Sequence, residues 1–328
     1  MKVLVTGGTG FVGTHLVNAL LRRRHDVAVL ARDGRATRNR YNQKIETVEG
    51  NVLDPASLAA ACSERDAVIH LVAVIDEEKG QTFEQVHHQA VENLVKAMVS
   101  AGVRRLLHMS AMGAAPDAPS LYARTKAAGE STVRSSGLAW TIFRPSVIFG
   151  PGDGFFSLLA GVVRGNPGFI PIIGPGTTRF QPISVYDVAR VYTEALEKPE
   201  TSGRAFDLGG PEVFTLNELY REVAIAVGKA RKPVVHLPLW WGALVARAFE
   251  GMARRGWLES PPLTRDQLKS LSRDNVADIS EALRVFGGEW KKLRAGLREY
   301  LHGAMKHDPR FGQGHEVDLE PVKVLRIQ

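Results

Sequence analysis

The chain holds one cysteine, Cys62, in 328 residues. No intramolecular disulfide can form, and the sequence fits a reducing, cytoplasmic compartment. It contains no Cys-x-x-Cys and no His-Glu-x-x-His pattern, so no dedicated metal site is expected. No run of eighteen or more apolar residues exists, which excludes a membrane-spanning helix. The first strand is expected to begin at Lys2, so no leader segment is expected. Basic residues outnumber acidic ones for a net charge of +7, yet no nucleic-acid motif accompanies them. The arginines cluster at 22–24, at 32, 35, 38 and 40, and at 254–255. A solvated face, anionic lipid or a phosphorylated cofactor accounts for them, and nucleic acid is not an expected partner. Hydrophobic content of 44% and charged content of 23% describe an ordinary globular chain.

What is present begins at once, with MKVLVTGGTGFVG. Lys2–Thr6 reads as a short strand, and Val12–Arg23 as an amphipathic helix. Between them Gly7, Gly10 and Gly13 stand at three-residue intervals. Gly7 allows the tight turn, Gly10 lets backbone approach a pyrophosphate, and Gly13 lets the helix lie close to the sheet. The diphosphate would rest on the helix N-terminus against Thr9, Gly10, Phe11 and Val12.

Further strands are expected at Asp26–Ala31, Ile45–Glu49, Ala67–Leu71, Arg105–Met109 and Trp140–Arg144. Helices are expected at Pro55–Cys62, Thr82–Ser100 and Ser120–Ser135. This alternation implies an α/β Rossmann fold, a doubly wound parallel sheet over residues 1–150. A small mixed C-terminal substrate or interaction lobe over 151–305, interleaved with returning strands, and a polar tail over 306–328 follow it. Phe206–Gly210 reads as a returning strand. Thr215–Val227 reads as a helix with a capping box from Thr215 to Glu218.

The end of the second strand bears on the choice of dinucleotide. Arg32 there would accommodate a 2′-phosphate and select NADP(H), whereas Asp33 one residue on would bond the ribose of NAD(H). A basic surface loop is the plainer alternative. Asn51 and Val52 follow the third strand, where adenine would lie, and Asp54 caps the next helix. Val72 and Ala73 offer small apolar backbone after the fourth strand. His87 and His88 read as packed or surface histidines.

Tyr122 and Lys126, four residues apart on one helix face, form the chemical signature. The ammonium would lower the phenol's pKa, making Tyr122 a general acid or base. Lys126 would also hold the nicotinamide ribose, with Pro145 and Val147 beside the nicotinamide.

Together TGGTGFVG, the Tyr122/Lys126 pair, Arg144–Pro145–Ser146 and the stretch from Pro182 to Ala189 resemble an extended short-chain dehydrogenase/reductase. The stretches 108–114, 262–268 and 273–276 are similar to an atypical branch of it. That branch includes the nucleotide-binding accessory subunit of respiratory complex I and its bacterial relatives. The resemblance implies NADP(H) or NAD(H), a hydrophobic carbonyl or quinone, and a respiratory complex or membrane surface as partners. In catalytic members two adjacent hydroxyl residues end the fifth strand. Here the pair is Ser110–Ala111, so the resemblance implies Ser110 as the structural hydroxyl partner in the catalytic site and Ala111 in the place of the catalytic hydroxyl. With them it implies either a reductase or a non-catalytic protein that keeps the dinucleotide as a structural staple. A soluble nucleotide-sugar epimerase or dehydratase is the third alternative. The stretch from His236 to Trp257 is apolar around much of one helix, with tryptophans at its ends and arginines on its polar side. A helix at a membrane interface and a buried or dimer-contact helix both fit it.

Overall fold

The computed structural model describes residues 1–301 apart from residues 78, 79, 256, 259, 260, 262, 271 and 272. The expected tail at 306–328, and Pro262 among the motif residues, lie outside the described residues. The chain divides into two compact units. The first comprises Met1–Ser146, Val185–Gly209 and Ala277–Glu289; the second comprises Val147–Ser184, Gly210–Val276 and the described chain from Trp290. The first boundary thus falls at Ser146 rather than at residue 150.

In chain order the first unit opens with β1 (Lys2–Thr6), α1 (Phe11–Arg22), β2 (Asp26–Ala31), α2 (Gly34–Arg40), β3 (Glu46–Glu49) and α3 (Pro55–Cys62). It continues with β4 (Ala67–His70), α4 (Ala90–Ser100), β5 (Arg105–Met109), α5 (Leu121–Ser135) and β6 (Ala139–Pro145). The six expected strands appear within one residue at each end. The expected Thr82–Ser100 helix opens instead with a wide π turn over Gln85–Gln89 before α4. Helix α2 was not expected. Its Asp33 N-cap accepts the Ala36 N–H at 2.8 Å.

The remaining elements are β7 (Ile148–Phe149), α6 (Phe155–Gly165), β8 (Ile170–Ile173), β9 (Arg179–Phe180), β10 (Ile183–Ser184), α7 (Val185–Glu197) and β11 (Arg204–Leu208). They are followed by β12 (Phe214–Thr215), α8 (Leu216–Ala226), β13 (Val234–Leu237), α9 (Leu239–Arg254), α10 (Arg265–Ser270), α11 (Ser280–Phe286) and α12 (Leu293–Leu301).

The first unit carries one seven-stranded sheet in the order β11-β6-β5-β4-β1-β2-β3, with every pairing parallel. Strand order reverses at β1/β4, the switch point at which such sheets bind ligands. Val3, Leu4 and Val5 are all fully buried, as a parallel strand covered on both faces requires. On one face Leu58, Cys62, Leu94 and Met98 pack with Leu4, Val68 and Leu106. On the other Phe143 meets Tyr192 of α7 at 4.5 Å between ring centroids. The returning strand β11 starts at Arg204, two residues before its expected start, and pairs along β6.

The second unit is mixed. Its strands pair as β7 with β10, β8 with β13 and β9 with β12, around a core of Phe149, Phe156, Leu159, Ile172 and Leu219. Thr215 and Glu218 form the expected reciprocal capping box of α8. Among the described residues no helix is long and apolar enough to cross a membrane.

Candidate functional site

The site grows from the C-terminal ends of the central strands. After Thr6 the chain turns at Gly7, whose φ of +77° belongs to the left-handed region. A Cβ there would stand 3.1 Å from both the Leu71 carbonyl carbon and the Val72 nitrogen. Gly10 closes the turn by donating its N–H to the Gly7 carbonyl at 3.1 Å. Gly10 is also the N-cap of α1, without a side chain to cap the free N–H groups. No acidic residue occupies that first turn, so the helix end presents open donors and positive potential. Thr9 and Gly10 are exposed, and Phe11 and Val12 half-buried. A Cβ on Gly13 would fall 2.1 Å from the Gly7 oxygen, so α1 can lie against the loop only without one. Open backbone donors at a glycine-lined helix end fit the diphosphate of a dinucleotide.

Beside this loop β2 delivers Arg32 in an exposed position. Asp33, its rival, is engaged as the N-cap of α2. The far end of α2 returns to the glycine loop. Arg40 Nη1 donates to the Thr9 carbonyl at 3.1 Å, and the buried Tyr41 hydroxyl donates to the Gly8 carbonyl. Burial pushes the Tyr41 phenol up to about 12. Arg32, Arg35, Arg38 and Arg40 make no ion pair among the described residues. Sequence reasoning named Arg40 only as a member of the arginine cluster, missing its contact with the glycine loop, and missed Tyr41 altogether. The available signal was an Asp-Gly pair opening a short helix, as an N-cap does.

Asn51 uses its Oδ1 to accept the Leu53 N–H at 3.0 Å, leaving its amide nitrogen as the group for an adenine edge. Val52 departs from expectation. Its side chain is buried in the hydrophobic core, so only its backbone is left to meet a ligand. Val72 is half-buried and Ala73 exposed.

Helix α5 begins with the Ser120 hydroxyl accepting the Ala123 N–H at 3.2 Å. One turn of the helix separates Tyr122 from Lys126. The Lys126 side chain is buried, and its Nζ donates to the Met109 carbonyl at 2.6 Å. Burial lowers the Lys126 ammonium to about 8. The expected depression of the phenol is not what the structure shows: burial raises Tyr122 to about 12. The lysine is turned to a backbone carbonyl, and desolvation outweighs any help it gives a tyrosinate.

Three buried histidines surround this pair, and sequence reasoning did not connect them. His87 has its Nε2 3.1 Å from the Val74 N–H and its Nδ1 3.0 Å from Thr125 Oγ1. Accepting at Nε2 fixes the neutral tautomer with the proton on Nδ1. The Tyr122 ring stands edge-on to His87, with centroids 5.1 Å apart, and edge-on to Phe83 at 5.9 Å. His70 and His108 pair in register on β4 and β5 and stack at 5.5 Å. Thr6 Oγ1 meets His70 Nδ1 at 2.7 Å. Burial first and the Lys126 charge second hold His70 and His87 at about 3 and push His108 well down. Among the described residues no three histidine, cysteine or carboxylate side chains converge as metal ligands would.

Ser110 is buried, with its N–H on the Phe143 carbonyl at 2.8 Å and its hydroxyl unpaired. Ala111 is half-buried beside it. Arg144 is fixed by Glu130 through two bonds of 2.7 and 2.5 Å. Pro145 ends β6 and accepts the Met112 N–H at 3.0 Å. Val147 belongs to the second unit, where its carbonyl accepts the Ile183 N–H at 3.0 Å.

Comparison with known proteins adds to this geometry. A family model described as the NAD dependent epimerase/dehydratase family matches residues 3–209. The chain is 30% identical over 319 residues to the mitochondrial NADH dehydrogenase [ubiquinone] 1 alpha subcomplex subunit 9 of Arabidopsis thaliana, covering 94% of this chain and 79% of that one. It is 27% identical over 315 residues to the NAD(P)H azoreductase of Xenophilus azovorans, covering 94% and 99%. Among solved structures, the dTDP-glucose 4,6-dehydratase DesIV of Streptomyces venezuelae with NAD bound superposes with a TM-score of 0.69. That likeness covers 91% of this chain and 95% of the other at 21% identity, and it concerns the fold alone.

Proposed function

The chain belongs to the NAD dependent epimerase/dehydratase family, and on that premise we propose that it is an NADP(H)-dependent reductase of a hydrophobic carbonyl or quinone. We place it on the cytoplasmic face of a membrane. The observation that carries the cofactor reading is the end of β2. Arg32 is exposed and makes no ion pair among the described residues, while Asp33 caps α2 through its Oδ1. A 2′-phosphate would meet a cation there, whereas a 2′-hydroxyl would have to share the carboxylate that caps α2. The dinucleotide supplies the hydride. Around it the chain's own groups bind and deliver a proton. Lys126, charged below about pH 8, holds ribose hydroxyls, and Ser110 offers its unpaired hydroxyl to the acceptor oxygen. Tyr122, with its phenol near 12, stays protonated at neutral pH and so suits the acid of a reduction. The azoreductase and the complex I subunit among its relatives support an apolar acceptor and a link to respiration.

A second reading has one observation in its favour. Ala111 stands where catalytic relatives would carry a second hydroxyl, and losing such a donor costs on the order of a hundred-fold in rate. On that reading the dinucleotide is a staple, contributing about 2.7 kcal/mol at a hundred times its dissociation constant. The alternative of a nucleotide-sugar epimerase would need that same hydroxyl.

The test begins with the nucleotide carried by freshly purified protein, followed by Arg32→Ala. NADPH affinity is expected to fall about tenfold or more, with NADH affinity unchanged. NADH preferred by the wild type would sink the cofactor reading. Tyr122→Phe then separates the two roles. Loss of acceptor-dependent NADPH oxidation with binding intact is the reductase outcome. A wild type that binds NADPH, gains thermal stability and turns over no quinone or carbonyl is the staple.

A further inference from the structure

We infer that α9 is the element that docks the protein on a bilayer containing anionic lipid, lying flat in its headgroup layer. This rests on the membrane-peripheral part of the functional reading and adds to it the docking element and the lipid class. The helix is inside out for an ordinary surface helix. Toward its own unit it presents small residues: Gly242 and Ala246 are buried, and a Cβ on Gly242 would fall 2.4 Å from Ile173 of β8. Outward it presents large ones. Trp240 is 67% exposed, Leu239 60% and Leu244 56%. Trp257, tied to the helix end by its N–H on the Met252 carbonyl at 3.0 Å, is 69% exposed. Sixteen residues make a rod about 24 Å long, with tryptophans at both ends, where their amphipathic rings favour the membrane–water boundary.

Charge selects the occupant. Glu250 is the sole acid on α9, and Arg265 neutralises it through two bonds of 2.9 Å. Arg247 and Arg255 are exposed and make no ion pair among the described residues. The Arg255 guanidinium lies 5.7 Å from the Trp257 ring centre. The face is therefore apolar and cationic together. A second copy of this chain meeting it two-fold would bring arginine to arginine. Anionic headgroups take the arginines while the acyl boundary takes the tryptophans and leucines.

The full-length protein loaded with NADPH is mixed with vesicles of phosphatidylcholine alone or with phosphatidylglycerol added. Trp240, Trp241 and Trp257 are three of the five tryptophans, so intrinsic emission reads the patch. Co-sedimentation and a blue shift are expected with the anionic vesicles and not with the neutral ones. Binding should weaken about tenfold or more in Arg247→Glu/Arg255→Glu and at high salt. It should be lost in Trp240→Ser/Leu244→Ser. NADPH affinity in both variants serves as the control for folding. Absence of vesicle binding by the wild type, equal binding by the variants, or a concentration-dependent dimer abolished by them would overturn the inference. Cell fractionation distinguishes its failure from that of the wider reading. Should wild type and Trp240→Ser/Leu244→Ser both remain with membranes, α9 is not the anchor although the protein is peripheral. Vesicle binding by a protein that holds no NADPH would sink the cofactor reading and leave the docking helix in place.

Discussion

Gly10 and Gly13 lie one helical turn apart, and replacing each by alanine should damage different properties. At Gly13 the new methyl carbon would sit 2.1 Å from the Gly7 oxygen and 2.7 Å from the Gly8 Cα. Both obstacles are backbone, so no side chain can swing aside. Helix α1 would have to retreat by about 1 Å, loosening the fully buried Leu16 and Leu20. Overpacking of this kind costs about 1–3 kcal/mol, with the lost packing added to it. A fall in melting temperature of roughly 5–10 °C is expected. At Gly10 the backbone angles, φ −76° and ψ 179°, suit alanine, and the sole neighbour of the new carbon is the Gly7 oxygen at 3.4 Å. Stability should change by less than about 1 kcal/mol. The methyl group instead stands at the open end of α1, where a diphosphate would take the free N–H groups. Displacing one charge-assisted bond costs about 1.5–3 kcal/mol, or roughly 10- to 100-fold in NADPH affinity. Thermal denaturation without nucleotide and calorimetric titration with NADPH measure the two effects separately. A well-folded Gly10→Ala that binds NADPH like the wild type would refute the placement of the diphosphate at α1. A Gly13→Ala as stable as the wild type would refute the close approach of helix and loop.

Other perturbations follow from the buried charges. Lys126 loses its proton near pH 8, so NADPH affinity should decline above that pH, and titration calorimetry between pH 6.5 and 9.5 reads it. Affinity constant across that range would remove Lys126 from the ribose. His70 and His87 are held at about 3 in the folded state, below the ordinary value of 6.5. The unfolded chain therefore binds more protons between those limits, and stability is lost as pH falls from 6.5 toward 3. Each histidine contributes up to about 1.4 kcal/mol per pH unit within that window. Denaturant midpoints at pH 7 and pH 5 should differ less in His70→Asn than in the wild type, and an unchanged difference would count against the buried neutral state. Glu130→Ala should cost about 3 kcal/mol, because it leaves the Arg144 guanidinium without its carboxylate. Chemical denaturation measures this, and a loss below 1 kcal/mol would show that solvent compensates the arginine.

The glycine loop was legible because its constraints are local. A positive φ at Gly7 and the 2.1 Å approach that a Cβ on Gly13 would make leave two positions that glycine alone fits, and the three-residue spacing marks Gly10 between them. Strands were legible through their apolar runs, and the Thr215 and Asp54 caps through their spacing from the helices they open. Helix α2 was not legible, because GRATRNR carries no apolar stripe and buries only Gly34 and Thr37. Its position depends on Tyr41 reaching the Gly8 carbonyl, a contact across 33 residues. The histidines escaped for a similar reason. His70 and His108 are 38 residues apart, and the parallel register of β4 with β5 alone makes them neighbours. The π turn at Gln85–Gln89 then brings His87 against Tyr122. Tyr122 and Lys126 lie one turn apart on α5, as their spacing implies, but the sign of the phenol's shift depends on burial, which a spacing rule does not carry.

These features give the first unit a graded field rather than a uniformly basic site. At one end stand the α1 N-terminus and four arginines that make no ion pair among the described residues, matched to the phosphates of a dinucleotide. At the other lie three histidines kept neutral and a single buried ammonium. Glu130, a buried carboxylate that acts on Lys126, is paired with Arg144 and only partly offsets the Lys126 charge. An oxidised nicotinamide ring carries a positive charge and a reduced one does not. A ring lodged beside Lys126, with the histidines unable to take up or release a proton near neutrality, is therefore favoured in its reduced form. Burial, acting against the pull of the Lys126 charge, keeps Tyr122 protonated. Reduced cofactor and protonated phenol are the two starting materials of a carbonyl or quinone reduction, so this charge state is the one that the proposed reductase would need before any acceptor arrives.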